Sequence, residues 1–553
     1  MNKLSPFNKG FSGGIQFDDD RSQSHQYALF FYLLGIILLF LIILLRLFQL
    51  TVVKGDYYRR LSEKNRIKEL FIEPERGEIR DRKGFVVAKN ISADLKKNNE
   101  RLQSKRIYDG SEAIAPLIGY RQIADKNDFK NDNCISPLQL GDKIGKKGVE
   151  KVYDCDLRGR YGRKLIEIDA KGNYLKTLTV IPSENGKIIQ LSFDFDLQKK
   201  AYELIKHKKA AAVGVHPKTG EVLFLVSSPS FDPQVFENQN TNEIQSYFTD
   251  GKKPLFNRTT EGIYPPGSLF KLVLAAGALE EKTIDEKSLV EDTGTVQAGP
   301  LKFGNWYFLQ YGKTEGMVDI VKAIKRSNDI FFYKTGEGLG PDKIRQWAGI
   351  LGYAKETGIG LNEAEGLIPS PFWKQETLKD RWYTGDTYNF SIGQGYVAVT
   401  PLQTVITTSV FANGGYLCKP KLLKGQESEC KKVSISQKNL TLIREGMKEA
   451  CSPGGTGWPL FDFKIVDKII LPENKESTQG TKIIYKPIQT ACKTGTAESQ
   501  AASGLPHAWI TVFAPFNNPE IALTVLVEEA GQGSDVAGPI AKEILKTYFE
   551  RRE

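Results

Sequence analysis

The sequence predicts an α+β fold for its long C-terminal part, set behind one membrane-spanning helix and a mixed intermediate region. Three observations carry this. Short apolar runs suited to strands lie at both ends of that part, at Ala210–Val215 and Glu221–Val226, then at Thr490–Thr494, Ala508–Ala514 and Ile521–Val527. The stretch between them reads as helices, which indicates an α+β sheet made from distant pieces of chain. Finally, Tyr27–Leu45 is uncharged and apolar, close to the about 20 residues that cross a bilayer.

At 553 residues the chain holds two or three domains with ample core. Its 76 basic and 66 acidic side chains leave a net charge of +10, a mild excess that suits an anionic envelope surface and does not argue for nucleic acid. The 4 histidines include no pair at metal-ligand spacing, and the 6 cysteines include no C-x-x-C. An even cysteine number permits disulfides. Cys418 and Cys430 are the pair nearest in sequence, and Cys492 reads as a small apolar strand residue.

Taken in order, residues 1–26 are polar and read as a disordered tail. Residues 27–50 form the span. Arg46 follows its apolar run in place of a small-residue cleavage site, which favours an uncleaved signal anchor. Seven basic residues from Arg46 to Lys68 follow the apolar run Tyr27–Leu45 and three precede it, a bias that alone would keep the bulk of the chain in the cytoplasm, although long domains translocate largely regardless. Residues 51–200 make a second domain. Arg76–Gly84 and Gly148–Tyr153 read there as scaffold, with Gly77 and Gly84 for turns and the charges for internal ion pairs. Residues 201–553 form the last domain. Phe193–Gln198 opens a helix into it, and His216 lies in the turn of the first hairpin. Glu237–Asn242 and Glu473–Lys482 read as polar loops. Pro539 begins a closing helix with Ile540, Ile544, Leu545 and Tyr548 on one face.

The chemistry centres on Tyr264-Pro-Pro-Gly-Ser268-Leu-Phe-Lys271. The Pro-Pro-Gly breaks any preceding element, and Leu272–Leu279 continues as a buried helix. Ser268 therefore stands at a helix N-terminus, where free N–H groups favour negative charge. Lys271, three positions on, shares its face and can serve as the base that a hydroxyl nucleophile needs. Downstream lie Ser327-Asn328-Asp329 and Lys493-Thr494-Gly495-Thr496. The ordered set S-x-x-K, S-x-N, K-T-G is the signature of penicillin-binding proteins and serine β-lactamases, here with Asp329 in place of the final Asn. Asn257-Arg258, Thr384-Gly-Asp-Thr, Ser391-Ile-Gly-Gln-Gly395, Thr400-Pro-Leu-Gln403 and His507-Ala-Trp-Ile extend the likeness. The chain resembles the monofunctional, class B penicillin-binding proteins, and Asp329 with Trp382–Thr387 leans towards the elongation-type branch.

That resemblance implies a penicillin-binding, serine β-lactamase-like transpeptidase domain behind a mixed pedestal domain and a single transmembrane helix, with both domains outside the cytoplasm. The pedestal's middle, roughly Ser92–Asn133, is polar and shorter than in many relatives. The implied activity is a peptidoglycan D,D-transpeptidase that cross-links stem peptides through an acyl-enzyme and is blocked by β-lactams. A division-type transpeptidase, a D,D-carboxypeptidase or β-lactamase, and a non-catalytic β-lactam sensor are the alternatives. Ser268 is the implied nucleophile, Lys271 its base and Ser327 a proton relay, with Asn328 and Asp329 shaping the site. Lys493, at an open strand edge, would remain a fixed cation for the substrate carboxylate, assisted by Thr494 and Thr496. Gly495 would admit the substrate backbone, and the N–H groups of Ser268 and Thr496 would form the oxyanion hole. No cofactor is implied. Elongation-type relatives can carry zinc between the first two motifs, but no His or Cys lies between Ser268 and Ser327 here, so no metal is expected. By the same resemblance, a SEDS-family membrane glycosyltransferase and other elongation proteins are the expected partners.

Overall fold

The computed structural model describes residues 20–91, 104–169, 171–470, 482–499 and 503–551. Residues 1–19 of the expected tail, 92–103 of the pedestal's middle and most of the expected loop before the third motif lie outside them. The described chain divides into two units, one of residues up to Ile72 with Tyr161–Ser183, the other of Glu73–Arg160 with Glu184 onward.

In the first unit a helix runs Asp20–Phe48 and continues as a π-helical turn over Gln49–Val53. Residues 20–26, expected in the tail, are therefore helical. The membrane-length stretch is Tyr27–Val53, with a mean hydropathy of 3.2. It passes Arg46, whose guanidinium donates to Gln49 Oε1 at 2.7 Å. A second helix, Gly55–Arg66, leads into an antiparallel sheet in which Gly162–Ile168 lies between Ile67–Ile72 and Tyr174–Ile181.

The second unit begins with a small sheet of Lys105–Tyr108, Val86–Ile91, Ile79–Arg80 and Ile189–Gln190, in that order. Both stretches read as scaffold meet here. Arg76 pairs with Glu150 at 2.6 Å and Asp154 at 2.8 Å, and Arg106 reaches the other oxygen of Glu150 at 2.8 Å. A Cβ on Gly77 would fall 1.9 Å from the Lys187 carbonyl oxygen, so only glycine fits. Glu237 is no loop residue: it ends the short helix Pro233–Glu237, is buried, and takes Arg121 at 2.8 Å.

The large sheet has five strands: β1 (Ala210–Val215), β2 (Val222–Ser228), β3 (Ala491–Ala497), β4 (His507–Ala514) and β5 (Ile521–Val527). Their order is β2-β1-β5-β4-β3, antiparallel throughout, so the hairpin from the start of the domain docks on three strands from its end. Ile521, Leu523, Val525 and Val527 join the core of helices α1 (Phe195–Ile205) and α7 (Gly538–Glu550). Phe513 and Ala522 join the opposite core, with α2 (Lys271–Glu280), α3 (Ile320–Arg326), α4 (Asp329–Leu339), α5 (Pro401–Ala412) and α6 (Gln437–Ala450). Coverage of both faces is why these strands read as continuous apolar runs. The Thr400–Gln403 stretch is a capping box: Gln403 N–H donates to Thr400 Oγ1 at 3.1 Å and Thr400 N–H to Gln403 Oε1 at 3.0 Å.

All six cysteines are paired, Cys134 with Cys155, Cys418 with Cys430, and Cys451 with Cys492. Cys492 is thus more than an apolar strand residue. It ties β3, one position before Lys493, to the end of α6. Lys482, expected in a loop, opens the strand Lys482–Pro487.

Candidate active site

Ser268 sits in a single 3₁₀ turn, Gly267–Leu269, that runs into α2. Gly267 has φ +54°, a left-handed conformation that side chains with Cβ rarely adopt, and a Cβ there would fall 2.9 Å from Thr496 O. Its N–H donates to the Gly393 carbonyl at 2.9 Å, and Trp509 Nε1–H donates to Pro265 O at 3.1 Å. The turn is therefore held against β3 on one side and the Ser391–Gly395 stretch on another. Gly495 serves the same approach. A Cβ there would lie 3.0 Å from Pro266 O, so its bare backbone admits the nucleophile's own turn, where substrate was expected.

Lys271 is the first residue of α2 and is wholly buried. Its Nζ donates to Asp329 Oδ1 at 2.6 Å, to Ser327 O at 2.8 Å and to Ser327 Oγ at 3.3 Å, over the Phe332 ring. Ser327 stands between α3 and α4 in the left-handed region, φ +53°, which turns the chain and brings both its oxygens to the lysine. From the other side Lys493, also wholly buried, donates to Ser327 Oγ at 2.8 Å and to Thr494 O at 2.9 Å. One serine hydroxyl thus joins the two lysines. Burial lowers the pKa of Lys271 from the ordinary lysine value, opposed by Asp329. Burial lowers Lys493 much further, and the nearby positive charge of Lys271 adds to it.

Lys271 is pushed towards neutrality as expected, with Asp329 opposing the shift, and Lys493, expected to stay an open cation, is buried and pushed in the same direction. β3 is an edge strand, but an open edge exposes backbone groups and does not decide which face a side chain enters. Lys493 enters the face covered by Ser327. Asp329, the departure from the general motif, supplies the pair's anion.

The remaining expected residues fall into two groups. Thr496 is exposed at the cleft, and its hydroxyl accepts from Gly533 N–H at 3.4 Å. Thr494 is buried and donates to Thr456 Oγ1 at 2.8 Å. Asn328 is 1% exposed with both ends of its amide bonded inside the protein, so it supports the turn and does not line the cleft. The sequence reading missed Gln394, whose Nε2 donates to Thr496 O at 3.4 Å, and Trp306, whose backbone N–H donates to Asp329 Oδ2 at 2.9 Å. Gln394 lay within a stretch noted only for its likeness. Thr456 and Trp306 carry no local signal.

A family model described as penicillin binding protein transpeptidase domain matches residues 210–546, and one described as penicillin-binding protein dimerisation domain matches residues 91–191. The chain is 30% identical to the peptidoglycan D,D-transpeptidase MrdA of Acinetobacter baumannii, covering 95% of this chain and 88% of that one. It is 28% identical to MrdA of Haemophilus influenzae, covering 94% and 91%. Among solved structures, penicillin-binding protein PBP2 of Helicobacter pylori, in complex with MreC, matches with a TM-score of 0.73 at 27% identity, covering 87% of this chain and 99% of that one.

Proposed function

The chain belongs to the penicillin-binding protein transpeptidase family, as an elongation-type, serine-type peptidoglycan D,D-transpeptidase, and from that premise we propose how its residues divide the work. Ser268 Oγ attacks the carbonyl between the two terminal D-alanines of a stem peptide, its proton passing to Lys271, and the last D-alanine leaves as an amine. A neighbouring stem's amine then attacks the acyl-enzyme and closes the cross-link. Ser327 relays the proton to the leaving amine. The observation that carries this is the Ser327 hydroxyl, 3.3 Å from Lys271 Nζ and 2.8 Å from Lys493 Nζ, a continuous path between two buried amines. The N–H groups of Ser268 and Thr496 form the oxyanion hole, supported by the close approach of Gly267 to Thr496. Such a donor contributes roughly 10²–10³ in rate. The substrate carboxylate meets Thr496 and restores the positive charge on Lys493, since an arriving anion raises a lysine pKa. Thr494 anchors β3 beneath it, and Asn328 and Asp329 shape the turn.

Fluorescent penicillin labelling followed by peptide mapping tests this reading. The label should lie on Ser268 and persist, and Ser268→Ala should remain unlabelled. A label elsewhere, or rapid turnover of the drug to free product, overturns it.

The chain is membrane-anchored through its N-terminal helix. We further propose the division into tail 1–26, anchor 27–50, pedestal 51–200 and transpeptidase domain 201–553, with pedestal and catalytic domains extracytoplasmic. Three disulfides between Cys134 and Cys492 support that side, because disulfides persist in oxidising compartments. A reporter fused after Glu553 that is active only in the cytoplasm would refute it. The H. pylori relative's complex with MreC supports cell-wall elongation proteins as partners. The SEDS-family glycosyltransferase is the one we propose in the membrane.

A further inference from the structure

Behind the second motif, the excursion between residues 290 and 318 returns to the active site through one carboxylate. Asp292 ends the strand Val290–Asp292 and is 3% exposed. Its Oδ2 accepts from Asn305 Nδ2 at 2.8 Å, from Asn328 Nδ2 at 2.9 Å and from Glu315 N–H at 2.9 Å. Its Oδ1 accepts from Gly294 N–H at 2.9 Å. A local turn needs only the Gly294 bond. The other donors come from three separate segments, the farthest being the second motif itself. Asn305 extends the link, since its Oδ1 accepts Asp329 N–H at 3.1 Å. Asn328 Oδ1 meanwhile accepts Phe331 N–H at 2.9 Å and caps α4. The carboxylate thus grips both residues that follow Ser327.

We propose that Asp292 is a positioning residue for acyl transfer: through Asn305 and Asn328 it holds the left-handed Ser327 turn so that Ser327 Oγ lies between the two lysines and Asp329 meets Lys271. Bonds to a buried carboxylate are charge-assisted, stronger and more directional than those of an amide, which suits a part that must fix a turn disfavoured for a residue bearing Cβ. No contact with substrate is required of it. The proposal rests on the transpeptidase reading above.

The test is the second-order rate at which a penicillin acylates Ser268, measured per folded molecule across pH. Asp292→Asn keeps the shape but leaves one acceptor oxygen for four N–H donors. Acylation should slow by about tenfold to a hundredfold, the scale of a small misplacement of reacting groups. Lys271 is faced by Asp329 from α4 and by the Lys493 amine from β3, so loosening Asp329 removes the one anion that favours its charged form. The acidic limb of the rate profile should therefore move to lower pH. A variant that acylates at the wild-type rate, or one that is slower with an unmoved profile, overturns the proposal, since mere scaffolding predicts lost stability only. Asn305→Ala, which cuts the link to Asp329 N–H and leaves Asp292 its other three donors, carries the same expectations and decides the matter if Asp292→Asn does not fold. Wild-type protein is mapped alongside. Failure of its label to reach Ser268 would refute the transpeptidase reading itself and is thereby distinguished from failure of this proposal.

Discussion

Two buried charge clusters in the second unit both hold more cations than carboxylates, but cations of different kinds. In the pedestal, Glu150 is gripped by Arg76 and Arg106 and Asp154 is shared by Arg76 and Arg158, while Glu237 of the following domain is held by the pedestal's Arg121 and Lys143. Burial opposes ionisation of Glu150, but Arg106, Arg76 and Arg121 overcome it and hold its carboxyl at about 2. At the catalytic site two wholly buried lysines share one carboxylate, Asp329, and the same burial pushes both amines down. Arginines cannot give up their protons in a protein and so fix a shape, whereas buried lysines pushed towards neutrality can exchange theirs.

Arginine makes the hardest break in this contrast, because it keeps a positive charge and cannot deprotonate in proteins. Lys271→Arg should remove acylation of Ser268 by about 10²–10⁴-fold, the range for a general base. Lys493→Arg should fall nearly as far, although the strand-edge reading made it a weaker binder only. It forces a larger permanent cation into a closed site where Asp329 is already engaged. Acylation rates of the purified variants, with folding checked by thermal melting, measure both. A near-wild-type rate for Lys271→Arg excludes it as the base.

The pedestal cluster should break as a structure and leave chemistry alone. Glu150→Ala leaves Arg106 without a carboxylate in the interior and Arg76 with Asp154 alone, and should cost about 3–5 kcal/mol of stability. Denaturant unfolding measures it. A loss near zero would mean that the arginines find water or other partners. Acid gives the same answer without mutation. The Glu150 pKa is depressed from 4.5 to about 2, so its contribution, on the order of 3 kcal/mol, is present above the unfolded pKa and is lost as pH falls through that window. In Glu150→Ala this part of the pH dependence should vanish.

Much of this was legible in the sequence, for reasons that particular residues make plain. Ile521–Val527 was found with both bounds because a strand covered on two faces cannot hide its apolar run. Ser268, Lys271, Ser327 and Lys493 could be named because their spacing carries a reaction. The burial of Lys493 could not. It depends on Ser327 and Asp329 closing over one face of β3, a contact between residues 166 apart. Asp292 and Thr456 were invisible for the same reason: each acts on a motif residue through a partner distant in sequence, and neither residue type is unusual where it stands. Cys492 was misread because its partner, Cys451, leaves no spacing pattern.

The subtlest test reverses the sign seen in the pedestal. Burial that lowers the pKa of Lys493 costs the folded state stability at every pH below the ordinary lysine value of 10.5. Lys493→Met has similar volume and removes that cost. It also removes two hydrogen bonds of the amine, to Ser327 Oγ and Thr494 O, together worth about 1–3 kcal/mol. The balance should leave the variant more stable than wild type at neutral pH, while its acylation falls away, the usual exchange of stability for function at an active site. The sign has a second signature. The unfolded chain binds more protons than the folded one wherever the folded pKa is lowered, so wild-type stability rises with pH up to the unfolded lysine pKa. The advantage of Lys493→Met must therefore shrink as pH approaches 10.5. Unfolding free energies of both proteins at neutral and alkaline pH measure this. A variant less stable at neutral pH, with a difference that stays constant on raising the pH, would show that Lys493 is a comfortable cation after all, and that the two buried clusters are built on the same principle.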